Sequence, residues 1–134
     1  MLHSDDAGKL VLRLTVGILM LLHGIAKLVG GIGSIAGMVT SVGLPASVAY
    51  LVFVGEVLAP LGLILGVFTR ISALIVVINM LFAIGLAHMA DLFQLSRSGG
   101  WAIELQAFFL FGAVAVILLG PGRFSLQRPA SRWN

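Results

Sequence analysis

ASVAYLVFVGEVLAPLGLILG, residues 46–66, is long enough to cross a bilayer and carries one charged side chain, Glu56, near its centre. About 20 apolar residues span the hydrocarbon as a helix. A carboxylate at that depth cannot easily reach either headgroup layer, so it must be protonated, hydrated or paired with a cation. Four residues on stands Pro60, which has no N–H, so the carbonyl of Glu56 loses its usual helical partner. A carboxylate and a freed backbone acceptor thus share one place.

Three further apolar stretches surround this one: Ala7–Val29, Ile71–His88 and Trp101–Leu119. With Ala46–Gly66 they predict an all-α integral membrane four-helix bundle filling a single membrane domain over residues 1–134. The composition agrees: 60% of the 134 residues are hydrophobic and only 10% charged, against about 25% charged in a soluble domain. The spans leave no room for a separate soluble domain. A net charge of +3 has the sign that nucleic acid attracts, but the basic residues stand singly at helix ends rather than in a stripe. Anionic lipid headgroups explain them better. With no cysteine in the chain, disulfides, thiolate metal sites and thiol catalysis by its own residues are excluded.

Residues 1–6 are polar and expected to fray. The first helix is expected to be retained rather than cleaved as a signal peptide, because Lys27 interrupts its far end and no small-x-small site follows. It should end at Gly30-Gly31. The uncharged stretch 32–45 then suits a short interfacial or re-entrant helix from Ser34 to Val42, with Ser34 as N-cap and Gly43 as stop. Pro45 suits the start of the second crossing. Gly62-x-x-x-Gly66 permits close helix contact. A tight turn at Phe68-Thr69-Arg70 makes the second and third helices antiparallel neighbours. Trp101 reads as an interfacial anchor, and Gly120-Pro121-Gly122 ends the last helix before the tail carrying Arg123, Arg128 and Arg132.

Four crossings put both termini on one side. That side carries six basic residues (Lys9, Arg13, Arg70, Arg123, Arg128, Arg132) against two on the other (Lys27, Arg97). The positive-inside rule therefore predicts an N-in/C-in topology.

Depth estimates at ~1.5 Å per residue bring His23, Lys27, Glu56, His88 and Glu104 into the outer half of the bundle. His23 and Lys27 are four apart and share a face. Arg13 lies on the inner half of the same helix. Each also has a plain reading: Arg13 and Lys27 snorkelling, His88 at a boundary, Glu104 favouring a helix N-terminus, Glu56 in a structural ion pair. Asn79 reads as interhelical glue. A metal held by His23, Glu56, His88 and Glu104 is not expected, for no ligand spacing supports it and Lys27 would repel a cation.

Arg13, the run His23-Gly24-Ile25-Ala26-Lys27, Val42-Gly43-Leu44-Pro45, Gly55-Glu56 with Pro60, Leu65 through Arg70, and Gly120 through Leu126 together resemble the DoxX family of small four-helix bacterial and archaeal membrane proteins. The likeness runs from Arg13 to Leu126. This chain has Gln127 where the family pattern often closes on an acidic residue. The resemblance implies a redox-associated membrane protein of the cytoplasmic (inner) membrane. The family's best-known members look like subunits of thiosulfate:quinone oxidoreductase, and others accompany responses to quinones, catechols or oxidative and thiol stress.

The reading that follows is a multi-pass protein holding a membrane quinone or similar redox-active molecule. Quinone reduction takes up two protons with two electrons, so titratable groups are needed beside the ligand. Glu56 and His23 are the expected catalytic proton relay. Lys27 would stabilise charge on a quinone oxygen, and Arg13 would hold Glu56 ionised or bind an anion. His88 and Glu104 would form the outer exit. No haem, flavin or metal motif is present, so electrons come from a partner or reductant. Two alternatives stand beside this one: a non-catalytic anchor for a soluble oxidoreductase, and a channel or exporter acting as a homo-oligomer.

Overall fold

The computed structural model describes residues 4–128 and 132–134. It is all-helical. Helix α1 covers Ser4–Gly30, α2 covers Gly33–Ser41, and a third helical rod, α3, covers Ala46–Leu65. Helix α4 runs over Thr69–Ala87 and α5 over Glu104–Leu119. Of these, α1, α3 and α4 are long and apolar enough to cross a membrane; α5, at 16 residues, is apolar but shorter.

Several boundaries depart from the expected ones for local reasons. Ser4, Asp5 and Asp6 do not fray but open α1. Two acidic residues at a helix N-terminus meet the positive end of the dipole, and Asp5 pairs with Lys9 one turn on at 2.7 Å. The rest of the expected frayed stretch, residues 1–3, lies outside the described residues. Helix α2 begins at Gly33, one residue before the expected Ser34, and Ile32 at its N-cap makes no side-chain bond. Gly43, with φ at +84°, stops it as expected. Trp101 stays out of α5 because its indole N–H donates to the Leu92 carbonyl at 2.8 Å and its backbone bridges Leu95. Helix α5 therefore starts at Glu104.

The rod α3 is not uniform. It is a 3-10 helix over Ala46–Leu51, a π turn over Val54–Leu58, and an α-helix over Ala59–Leu65. Pro60 is the reason the register widens here. It cannot donate to the carbonyl of Glu56, and just before it Ala59 N–H donates five residues back, to Val54. Such wide turns concentrate at functional sites.

Helices α1, α3, α4 and α5 all contribute to one apolar core, built of Val16 and Met20, Ala59 and Leu63, Ala73, Val76 and Met80, and Phe109, Ala113 and Val116. The outside is apolar as well. Phe108 is 81% exposed and Leu118 76% exposed, a surface that water would not tolerate over several helices and that hydrocarbon accepts.

At the end of the molecule opposite α2, the C-terminal segment docks on the α3–α4 turn. Leu126 and Gln127 N–H donate to the carbonyls of Leu65 and Gly66 at 3.1 and 3.2 Å. The Gln127 side-chain oxygen accepts from Phe68 N–H at 2.6 Å, so an amide serves where the resemblance leads one to expect an acid. Asn134 Oδ1 accepts from both the N–H and the hydroxyl of Thr69, at 3.1 and 2.7 Å.

Candidate functional site

Two glycines allow the interior site to form around Glu56. A Cβ at Gly24 would overlap the carbonyl oxygen of Glu56, so the absence of a side chain lets α1 lie directly against the π turn. On the α4 side, a Cβ at Gly55 would stand 2.5 Å from Asn79 Cγ. The π turn puts the consecutive Gly55 and Glu56 both into the interior.

Glu56 is 3% exposed, and both its carboxylate oxygens are engaged. Oε2 takes the ammonium of Lys27 from α1. Oε1 accepts from Asn79 Nδ2 of α4 at 3.2 Å. A buried carboxylate needs such partners. Asn79, read from the sequence as interhelical glue, therefore belongs to the site. The signal was there, since an amide inside an apolar helix seeks a partner. Which partner depends on how α4 is rotated.

Above this cluster lies a cavity of about 480 Å³. Lys27, Glu56 and Asn79 form its polar base, and Ile35, Val39, Val52, Ile78 and Phe82 belong to its apolar wall. Helix α2 supplies part of that wall, so the uncharged segment between the first two long helices bounds one side of the cavity. His88 stands at the rim. Gln106 Nε2 lies 3.1 Å from His88 Nε2, which with the amide as donor leaves the ring proton on Nδ1, facing Asp91 Oδ2 at 3.4 Å. Gln106, not singled out in the sequence, is thus the contact of α5 with this rim.

The other expected site residues are elsewhere. His23 is exposed and packs edge-on against Phe109, ring centroids 5.7 Å apart. It does not line the cavity. Glu104 is exposed, its carboxylate folded over Gly100. Arg13 is 1% exposed. Its Nη2 donates to the carbonyl of Phe124, and its Nη1 lies against Gly66. It is bonded to the C-terminal segment, and its Nε and Nη1 are buried with no hydrogen-bond partner among the described residues. Lys27, not Arg13, is the cation on Glu56.

The sequence model of the DoxX family matches residues 8–89, a stretch that includes Lys27, Glu56, Asn79, His88 and the whole of α2. The chain belongs to the DoxX family. As a DoxX-family protein with three membrane-capable helices it is a membrane protein, of a family often associated with redox processes. Comparison with curated proteins and with solved structures gives no match.

Proposed function

We propose that this DoxX-family protein binds a quinone-class molecule in the cavity between α2, α3 and α4. One observation carries the reading: the Lys27–Glu56 pair and an amide line a largely apolar cavity inside a membrane protein. Its volume of about 480 Å³ lies within the range of small-molecule sites, which are mostly apolar with a few convergent polar groups. A flat, lipid-soluble ring carrying carbonyl oxygens matches that lining. Lys27 has two further N–H donors for a ligand oxygen, and Glu56 is the group able to give or take a proton beside it. His88, at the rim, is a second proton carrier toward the surface.

Reduction of a quinone to the quinol consumes two electrons and two protons. The protons pass through Glu56 and His88, while the electrons come from a partner oxidoreductase. The chain crosses the cytoplasmic membrane of a bacterium or archaeon four times as a four-helix bundle, with both termini inside. The basic residues at the end opposite the cavity support that orientation.

The test is direct binding of a short-chain ubiquinone or menaquinone analogue to the purified protein, followed by protein fluorescence quenching. Glu56→Gln is expected to remain folded and to lose affinity at least tenfold. Wild-type affinity in the folded variant would overturn the reading. A second reading has its own support, since both oxygens of Glu56 are already satisfied within the protein: the cluster then holds the helices in register and the protein anchors a soluble oxidoreductase. Co-purification with such an enzyme, together with lower expression of Glu56→Gln, would favour it.

A further inference from the structure

A second cavity, also of about 480 Å³, opens at the end of the molecule opposite α2. Three separate parts of the chain meet there: the first turns of α1 with Asp6 and Lys9, the start of α4 with Arg70, and the C-terminal segment with Arg123 and Arg132. Four cationic side chains therefore line the space with one carboxylate, Asp6; Lys9 is paired with Asp5 outside the lining, which leaves the three arginines in excess. The Asp6 carboxylate is already engaged, for its Oδ1 accepts the backbone N–H of Arg123 at 3.1 Å.

Arg70 makes the imbalance specific. Its Nε is buried and has no hydrogen-bond partner among the described residues, and no carboxylate among them forms an ion pair with its guanidinium. A guanidinium that lines the cavity with no carboxylate on it leaves a charge for a bound anion to pair. The backbone around it is bare. Gly120 passes so near that a Cβ there would stand 3.2 Å from Arg70 Nη2, and a Cβ at Gly122 would stand 3.2 Å from Lys9 Cβ. Side chains at either position would crowd the cations that surround the space.

We infer that this cavity binds a phosphate group, held by the guanidinium of Arg70 with Lys9, Arg123 and Arg132 around it. Guanidinium groups match phosphate oxygens in pairs, and several cations around one tetrahedral anion suit its charge. The same chemistry is offered by the headgroup of an anionic phospholipid and by free inorganic phosphate. The site is separate from the cavity over Glu56, and its existence does not depend on what that cavity holds.

The experiment uses the full-length protein, stripped of lipid in a neutral detergent. It measures binding of phosphatidylglycerol, phosphatidylcholine and inorganic phosphate by native mass spectrometry and by the shift in thermal midpoint. Wild-type protein is expected to retain phosphatidylglycerol over phosphatidylcholine, or to be stabilised by millimolar phosphate. The first result names a lipid headgroup as the source and the second a free anion. Arg70→Gln and Arg123→Gln should each weaken that binding about tenfold or more, while Arg97→Gln, in the loop before α5, should leave it unchanged. Arg123 is exposed, so its variant reports on binding even if Arg70→Gln folds poorly. Equal retention of both lipids with no response to phosphate would overturn the inference, as would wild-type binding by Arg123→Gln.

Discussion

Lys27 and Glu56, 29 residues apart in the chain, meet across the seam where α1 lies against the π turn of α3. The pair is lopsided: the Glu56 side chain is 5% exposed and that of Lys27 30%. Removing the cation leaves a carboxylate in the interior with only Asn79 to satisfy it. Lys27→Met should therefore lower stability by about 3 kcal/mol, the low end for breaking a buried pair because the lysine is partly exposed. Glu56→Gln should cost less, since the amide still accepts from Lys27 and is neutral. The double variant Lys27→Met/Glu56→Gln should recover much of the loss. Thermal unfolding of all four proteins in one detergent gives the coupling; additive losses would show that the two residues act independently.

The seam itself depends on Gly24. Gly24→Ala places a methyl group on the Glu56 carbonyl oxygen, and a helix-to-helix backbone contact cannot yield as a flexible side chain would. The expected cost is about 1–3 kcal/mol, the range for overpacking a tight interior. Gly85→Ala, with nothing within 4 Å of the new methyl, is the matched control. It should be neutral or stabilising by up to about 1 kcal/mol, because alanine is the better helix former. Equal midpoints for the two variants would mean that α1 and α3 are not in backbone contact.

Much of this arrangement was legible in advance, and what was not has a geometric cause. The depth of Glu56, the break at Pro60 and the apolar length of the helices follow from residue type and spacing alone. Rotation about each helix axis does not. His23 and Lys27 are four residues apart and only about 40° apart around the helix. Yet α3 meets α1 along Gly24 while Phe109 of α5 takes the side of His23, and the two residues part company. The π turn adds a further twist that no regular periodicity anticipates. Arg13 shows another limit. Its partner is a backbone carbonyl in the C-terminal segment, at Phe124, and backbone carbonyls leave no mark in a sequence.

That C-terminal segment stabilises the start of α4. Asn134 is 1% exposed, and its side chain accepts from the Thr69 N–H, one of the donors a helix N-terminus cannot satisfy internally. Asn134→Ala should cost about 1 kcal/mol, as loss of a capping side chain does, and should speed hydrogen exchange at the Thr69 amide. Asn134→Asp keeps an acceptor oxygen for Thr69 but sets a second oxygen against the Gln127 carbonyl, to which the Asn134 amide donates at 2.6 Å. It should therefore protect the Thr69 amide more than alanine and less than the wild type. If alanine leaves the exchange rate unchanged, the tail does not cap α4.

Gly66 and Gly43 separate backbone strain from steric overlap. Both adopt left-handed backbone, with φ of +70° and +84°, a region that costs an L-residue about 1–2 kcal/mol. Around Gly43 there is nothing within 4 Å of a Cβ, so Gly43→Ala should lose that strain energy and little else. At Gly66 the added methyl would overlap Arg13 Nη1 and stand 2.5 Å from Ser125 Cβ. It would push the buried guanidinium away from the carbonyl of Phe124 and displace the docked tail. Gly66→Ala should therefore be the more damaging of the two by a further 1 kcal/mol or more, about the value of one hydrogen bond to a charged group. It should also expose the C-terminal segment to proteolysis, which Gly43→Ala should not. Equal losses in both variants, with the tail still protected, would show that Arg13 does not tie the C-terminal segment to the α3–α4 turn.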